Sequence, residues 1–369
     1  MDNVTYLQFN GSDFINFISF VKSMGSKEKA KSSKNVLLYA DGNKLVCKAM
    51  DNVTIDYYVE KYDQENEITE PISASVTDLA ALIKSAGNDK FTIRKCFNQY
   101  EFNIAGGGWM PFKTMEADAD KYNIEGVETE IGTINSVKLR NAISSVLGYT
   151  QDYTYARDKY IQFSKTQMVV TSRLSSVVTA DEFIDMTLHR DDATMLRSLL
   201  KDNFELPVTK IAGPVTRLAF SGPKFKFTVI ECGIATGNIE YIKDLNNYVT
   251  VDCDELYRLA ILSEEYSASK HVIGMSIKDS KLNVSIKNIL AAKHVSTVTS
   301  RAVGNIKDTV DDKGKLWEAD VPSHNLLKAI KLFQDKHSRE INIYISGDMQ
   351  SNIIMFDSNT QAIINISNR

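Results

Sequence analysis

Apolar residues along this chain recur in two rhythms. A helical rhythm places Leu326, Ile330 and Phe333 at i, i+4 and i+7, with Leu327 beside them and Lys328 and Lys331 on another face. Three strand-like stretches follow, Glu340–Ser346, Ile353–Phe356 and Gln361–Ile366, separated by turn residues at Gly347–Asp348 and Asp357–Asn359. The same helix-then-strands order occurs twice earlier. Thr77–Ala86 precedes Lys90–Cys96, Tyr100–Ile104 and Trp109–Met115, and Asp191–Lys201 precedes Val208–Ala212, Arg217–Ser221 and Phe225–Glu231. Repeats spaced this widely predict three copies of a domain rather than a solenoid.

Each copy opens with another helix and its own strands. In the first, Ser12–Asp13 reads as an N-cap before the stripe Phe14, Phe17, Ile18 and Val21. A basic loop at Ser23–Lys34 leads to strands Asn35–Tyr39, Lys44–Met50 and Thr54–Lys61, with a hairpin turn at Asp41–Gly42–Asn43. The second copy starts near Glu128, with a helical stripe of Leu139, Ile143 and Val146, a Tyr-rich loop Gly148–Asp158, and strands Lys159–Ser164, Gln167–Thr171 and Ser175–Ile184. The third starts at Tyr248, with Leu256, Leu259 and Ala260 facing inward and strands His271–Lys278, Lys281–Asn288 and Lys293–Arg301. Gly304–Lys315 reads as an exposed loop, and Ala117–Gly126 and Thr236–Asn247 read as linkers. The expected class is α+β, in tandem domains 1–124, 125–246 and 247–369. Antiparallel sheets covered by helices on one face leave edge strands at both ends of such a chain. Head-to-tail pairing of those edges between two copies would close a ring.

Composition excludes more than it selects. The chain has 369 residues, 43% hydrophobic and 24% charged, which suits two or three globular domains. No apolar run reaches bilayer length, and Met1–Asn10 lacks the basic start and apolar core of a signal peptide, so a cytoplasmic protein with no membrane partner is expected. Cys47, Cys96, Cys232 and Cys253 show no paired spacing and read as buried free thiols. A net charge of −4 leaves room for a local basic lining. His189, His271, His294, His324 and His337 are dispersed without zinc spacing, and Gly106–Gly107–Gly108 is a hairpin turn rather than a phosphate loop. Asp191–Asp192 reads as a helix start and Asp311–Asp312 as a solvated loop, so no catalytic group, metal or cofactor is expected.

Several segments carry a resemblance. They are Ala260–Ile261–Leu262–Ser263 with Glu265, the strand–turn–strand His271–Ile286, Asp41–Leu45 through Ala49–Met50–Asp51, and Gln151–Asp152 with Tyr153 and Tyr155. In this order and spacing the chain resembles the bacterial DNA polymerase III beta subunit, the sliding clamp. The resemblance implies three clamp domains per chain and a homodimeric ring of six domains around double-stranded DNA. It implies a replicative DNA polymerase and a clamp loader as partners. It implies helices lined with cations for diffuse phosphate attraction, here Lys22, Lys84, Lys138, Arg140, Arg197, Lys201, Arg258, Lys328, Lys331 and Lys336. Tyr153 and Tyr155 match a loop that touches DNA at the ring face. A peptide pocket would involve Thr171, Ser172, Arg173, Leu174, Ile364 and Ile366, although the family's Gly-His pair and Met-Pro-Met ending are absent. A dimer interface would use Met110 and Phe112 on one side and Ile261 and Leu262 on the other. The competing reading is a β-rich structural or adaptor protein that does not encircle DNA.

Overall fold

The computed structural model describes residues 4–24, 35–51, 53–63, 66–86, 89–149, 159–171, 175–233, 239, 241–266, 271–287, 293–310, 314–316, 318–335, 338–345 and 352–365. The order strand, helix, strands, helix, strands occurs three times. The first round is β1 (Thr5–Asn10), α1 (Gly11–Ser23), β2 (Asn35–Asp41), β3 (Lys44–Met50), β4 (Thr54–Tyr62), β5 (Ile72–Ser75), α2 (Val76–Ser85), β6 (Lys90–Cys96), β7 (Gln99–Asn103), β8 (Trp109–Phe112) and the short β9 (Thr114–Met115). The second is β10 (Val127–Asn135), α3 (Ser136–Val146), β11 (Tyr160–Phe163), β12 (Met168–Thr171), β13 (Ser175–Thr179), β14 (Met186–His189), α4 (Arg190–Leu199), β15 (Glu205–Ala212), β16 (Arg217–Gly222) and β17 (Phe225–Ile230). The third is β18 (Tyr248–Asp252), α5 (Cys253–Tyr266), β19 (Val272–Lys278), β20 (Lys281–Lys287), β21 (Lys293–Thr297), β22 (Ser300–Val303), β23 (Ala319–Pro322), α6 (Ser323–Gln334), β24 (Glu340–Ile345), β25 (Asn352–Phe356) and β26 (Thr360–Asn365).

One local device starts the first helix of every round. Asn10, Asn135 and Asp252 each end a strand, and their Oδ1 atoms accept the backbone N–H of Asp13, Lys138 and Glu255 at 3.0, 3.1 and 2.8 Å. A short side-chain oxygen three residues before the donor satisfies one of the N–H groups a helix start leaves open. The cap of α1 is therefore Asn10, not the Ser12–Asp13 pair expected from sequence. An Asn at the end of a strand is a cap only once the strand has placed it there.

By its contacts the chain forms two compact units, Met1–Arg140 with Asp191–Glu231, and Asn141–Arg190 with Cys232–Arg369. The first is built on a 13-stranded sheet whose long path runs β10-β15-β16-β17-β4-β1-β6-β7-β8, with β2, β3, β5 and β9 branching from β4. Its core is rich in Phe: Phe9, Phe14, Phe17, Phe91, Phe102, Phe220 and Phe227 are fully buried. The second unit holds a nine-stranded sheet, β14-β11-β12-β13-β26-β25-β24-β18-β22, and a four-stranded one, β21-β20-β19-β23. Each unit contains one seam where strands from two rounds pair, β17 with β4 in the first and β26 with β13 in the second.

Several sequence expectations change. The strands that open each round (β1, β10, β18) and those before each second helix (β5, β14, β23) add to the expected set. Trp109–Met115 is two strands, β8 on β7 and β9 on β5, and Lys293–Arg301 is likewise split into β21 on β20 and β22 on β18. An alternating run carries no sign of where it changes partner. Of Ser175–Ile184, the strand runs only to Thr179; beyond it Ala180 N–H donates to Asn359 O, and Phe183 donates its N–H to Ser164 O and stacks edge-on against Phe163. Cys47 and Cys253 are buried, whereas Cys96 and Cys232 are half-buried. The basic loop 25–34, most of the Tyr-rich loop and Asp311–Asp312 lie outside the described residues.

Candidate nucleic-acid and self-association surfaces

The cations singled out on the helices fall into three groups. Lys22, Lys84, Lys138, Lys201, Arg258 and Lys331 are exposed. Lys22, Lys84 and Lys331 sit in last turns, where they also favour the negative end of the helix dipole. Arg140, Arg197 and Lys328 are half-buried. Arg140 is engaged in structure, since its Nη1 donates to the carbonyls of Leu200 and Lys201 at 3.5 and 3.2 Å and so closes the end of α4. Lys336, Tyr153 and Tyr155 lie outside the described residues. Helix α5 breaks the basic pattern, because Arg258 is its one cation against Asp254, Glu255, Glu264 and Glu265. Arg258 also donates through Nε to the Asp254 carbonyl at 3.3 Å. On α4, burial and then the neighbouring Asp191 push the Asp192 carboxyl up to about 7.

The two seams share one register. In the first, Phe225, Lys226 and Thr228 face Tyr57, Asp56 and Thr54. In the second, Thr360, Gln361 and Ile363 face Thr179, Val178 and Ser176. Each is closed by the same bond at the hairpin tip. Tyr58 N–H donates to Lys224 O at 2.8 Å, and Ala180 N–H donates to Asn359 O at 2.9 Å. On the helix side of the first seam Phe20 of α1 meets Phe227, and Lys224 Nζ donates to both carboxylate oxygens of Asp13 at 2.8 and 2.9 Å. On its other face charges alternate: Lys48 pairs with Asp56 at 3.6 Å and Lys226 with Glu128 at 2.7 Å. They line a cavity of about 230 Å³ with Thr54 and Tyr122, where burial outweighs Lys48 and lifts the Asp56 pKa.

At the second seam the equivalent face is apolar. Val169, Val178, Ile354, Phe356 and Ile363 form a cluster against which Ile239, Tyr241 and Leu245 of the linker pack. Two glutamine amides hold the linker's backbone there. Gln167 donates to Ile239 O and accepts from Tyr241 N–H at 2.8 and 3.1 Å; Gln361 donates to Ile242 O and accepts from Ile242 N–H at 2.6 and 2.9 Å. Of the expected peptide-pocket residues, Thr171 and Ile364 are buried, Ile364 between Ser175 and Ile353 in the ladder, while Ser172, Arg173, Leu174 and Ile366 lie outside the described residues.

Strands β8, β9, β10, β14, β21, β22 and β23 each have one neighbour among the described residues, and of these β8 and β21 hold the places in their rounds that β17 and β26, and β4 and β13, hold at the two seams. Met110 on β8 is 42% exposed and Val295 on β21 is 54% exposed. Leu262 on α5 is 43% exposed, with Ile261 and Phe112 half-buried. Trp109, half-buried, is backed by the Arg94 guanidinium at 4.1 Å from its ring. Sequence reasoning missed Trp109 and Val295, because an edge strand alternates as an interior strand does.

No family model matches the sequence, and no curated protein matches it either. Solved structures do match over the full chain. DNA polymerase III subunit beta from Pseudomonas aeruginosa is 14% identical with a TM-score of 0.77, covering 99% of this chain and 100% of that one. The same subunit from Thermotoga maritima is 12% identical with a TM-score of 0.76, covering 99% of each chain, and that from Borrelia burgdorferi is 12% identical with a TM-score of 0.74, covering all of both. The fold is that of the sliding clamp. At such identities the likeness is one of fold, with six α-helices and antiparallel sheets among the described residues. Among the described residues no helix is long and apolar enough to cross a membrane, and no three His, Cys, Asp or Glu side chains are grouped to hold a metal ion.

Proposed function

We propose that this protein is a non-catalytic DNA sliding clamp of the cytoplasm: a homodimer that closes head to tail, encircles double-stranded DNA without reading its sequence, and tethers a replicative DNA polymerase. The observation that carries the reading is the pair of internal seams with one shared register, together with the open strands β8 and β21 at the positions a third such seam would use. The domains proposed are 1–124, 125–246 and 247–369, and the repeated cap at Asn10, Asn135 and Asp252 supports them. Exposed Lys22, Lys84, Lys138, Lys201, Arg258 and Lys331, with Arg197 and Lys328, would attract phosphates diffusely. Arg140 would act mainly by holding α4. Lys336, Tyr153 and Tyr155 would add to this surface. A partner peptide would bind near Thr171–Leu174 and the strand ending in Ile364 and Ile366. A clamp loader would be needed to open the ring, since nothing in the sequence reads as a nucleotide site.

Retention on nicked circular DNA in the presence of a loader, before and after linearisation, tests the reading. A topologically held clamp stays on circles and slides off linear ends. Equal retention on both forms, or none on either, would favour the structural or adaptor alternative.

A further inference from the structure

We infer that, in the head-to-tail dimer proposed above, on which this inference rests, the β7–β8 hairpin tip Ala105–Gly107 of one copy seats in a cavity at the foot of α5 of the other, and that this seat sets how firmly the ring closes. The cavity holds about 440 Å³ and is lined by Asp252, Glu255, Arg258, Leu259 and Thr299.

The repeats supply the alignment. Ladder partners of the three caps are Lys90, Glu205 and Glu340. Three residues on, Ile93, Val208 and Ile343 face Phe102, Phe220 and Met355, which in turn face Met110, Phe227 and Ala362. Met110 therefore occupies the place of Phe227, and Gly107 that of Lys224. With the spacing of the first round, the hairpins closed by Asp41–Lys44 and by Lys278–Lys281 align β4 with β21, so that Val295 takes the place of Asp56 and Thr297 that of Tyr58; the second round places its seam two residues nearer its own hairpin. The caps align α1 with α5, so that Glu255 stands for Asp13 and Leu262 for Phe20.

Carried to the third seam, this register sets Trp109 opposite Val295 on one face and Met110 against Leu262 on the other. Thr297 N–H then meets Gly107 O, as Tyr58 N–H meets Lys224 O. The cavity lies beside Glu255, and in the first seam the matching helix position, Asp13, holds the Lys224 side chain. The tip stands clear of its own chain: the turn holds Gly106 and Gly107 at φ of +86° and +80°, and beyond their chain neighbours a Cβ on either would meet nothing within 4 Å. What is missing is charge. Gly107 brings no ammonium to Glu255, whose Oε2 accepts the Thr299 N–H at 3.0 Å. The closing seam thus keeps the apolar contact of the first internal seam without its ammonium, as the second internal seam does with Asn359 in the place of Lys224, and unlike either it is not also held by a continuous chain.

The test is the dimer dissociation constant of full-length variants by analytical ultracentrifugation at low and high salt, with circular dichroism to verify folding. Ala105 is exposed and needs no positive φ. Ala105→Lys should tighten the dimer about two- to fivefold at low salt, Ala105→Asp should loosen it by a similar factor, and both effects should shrink at high salt. Glu255→Gln should relieve the Ala105→Asp defect. If both Ala105 variants match the parent while Leu262→Asp dissociates the dimer, the seat is wrong and the head-to-tail reading stands. A parent protein that stays monomeric at tens of micromolar, or a Leu262→Asp variant that stays dimeric, would overturn the interface and the seat together.

Discussion

Phe20 on α1 and Phe227 on β17 meet edge to face, their ring centroids 5.9 Å apart and their planes at 89°. The pair joins two rounds of the repeat from the helix side, and both rings are buried. At the corresponding positions Leu262 and Met110 are exposed within one chain. The difference between these pairs is the difference between a seam already made and one that awaits a second copy.

Leu262→Asp and Met110→Asp should each give a folded monomer. Both side chains are already solvated in the single chain, so a carboxylate there is tolerated until a partner strand buries it, where an unpaired charge is costly. Light scattering after gel filtration reads the mass, and an unchanged dichroism spectrum verifies the fold. A dimer surviving both changes would argue against this interface.

Phe227→Ala should destabilise the chain itself by about 3–5 kcal/mol, the usual range for emptying a core aromatic. Asp13→Asn should remove no more than about 1 kcal/mol, because Lys224 is largely solvated. Urea denaturation of the two variants separates ring packing from charge. An equal loss in both would contradict the ranking.

Replacing Lys22, Lys84, Lys138 and Lys331 together by Gln should weaken retention on circular DNA and flatten its salt dependence, since fewer counterions are released. Arg140→Gln should instead lower the melting temperature, through the carbonyls of Leu200 and Lys201. A parent-like salt slope in the fourfold variant would remove these lysines from the DNA surface.

Stability should fall between about pH 4 and pH 7. Native Asp192 keeps its proton up to about 7, whereas the unfolded side chain loses it near 3.8, so the native state binds more protons across that window. A tenfold difference in proton affinity between the native and unfolded side chain corresponds to about 1.4 kcal/mol. Asp192→Asn should flatten this part of the profile, measured as denaturation midpoint against pH. An identical profile in the variant would place the titration elsewhere.

Much of this protein is legible as local pattern. The apolar stripes of α1 to α6 follow from their 3.6-residue period, and Asp41–Gly42–Asn43 marks its hairpin because Gly42 takes a φ of +55°. Leu262 and Met110 could be named from resemblance, but not distinguished from core residues. Both rhythms place an apolar side chain at such positions whether a neighbouring strand covers it or not.

The sequence by itself determined the repeat, the helices and most strands, because helix and strand periods, caps and turns depend on residues a few positions apart. Tertiary structure alone decided which strands pair across rounds, that Arg140 serves α4 as well as presenting charge, that Asp13 is neutralised by Lys224, and that β8 and β21 are among the strands with one neighbour among the described residues. Those outcomes depend on residues far apart in the chain, where register is set by a whole ladder of hydrogen bonds and by which face is buried, and no short stretch of sequence records it.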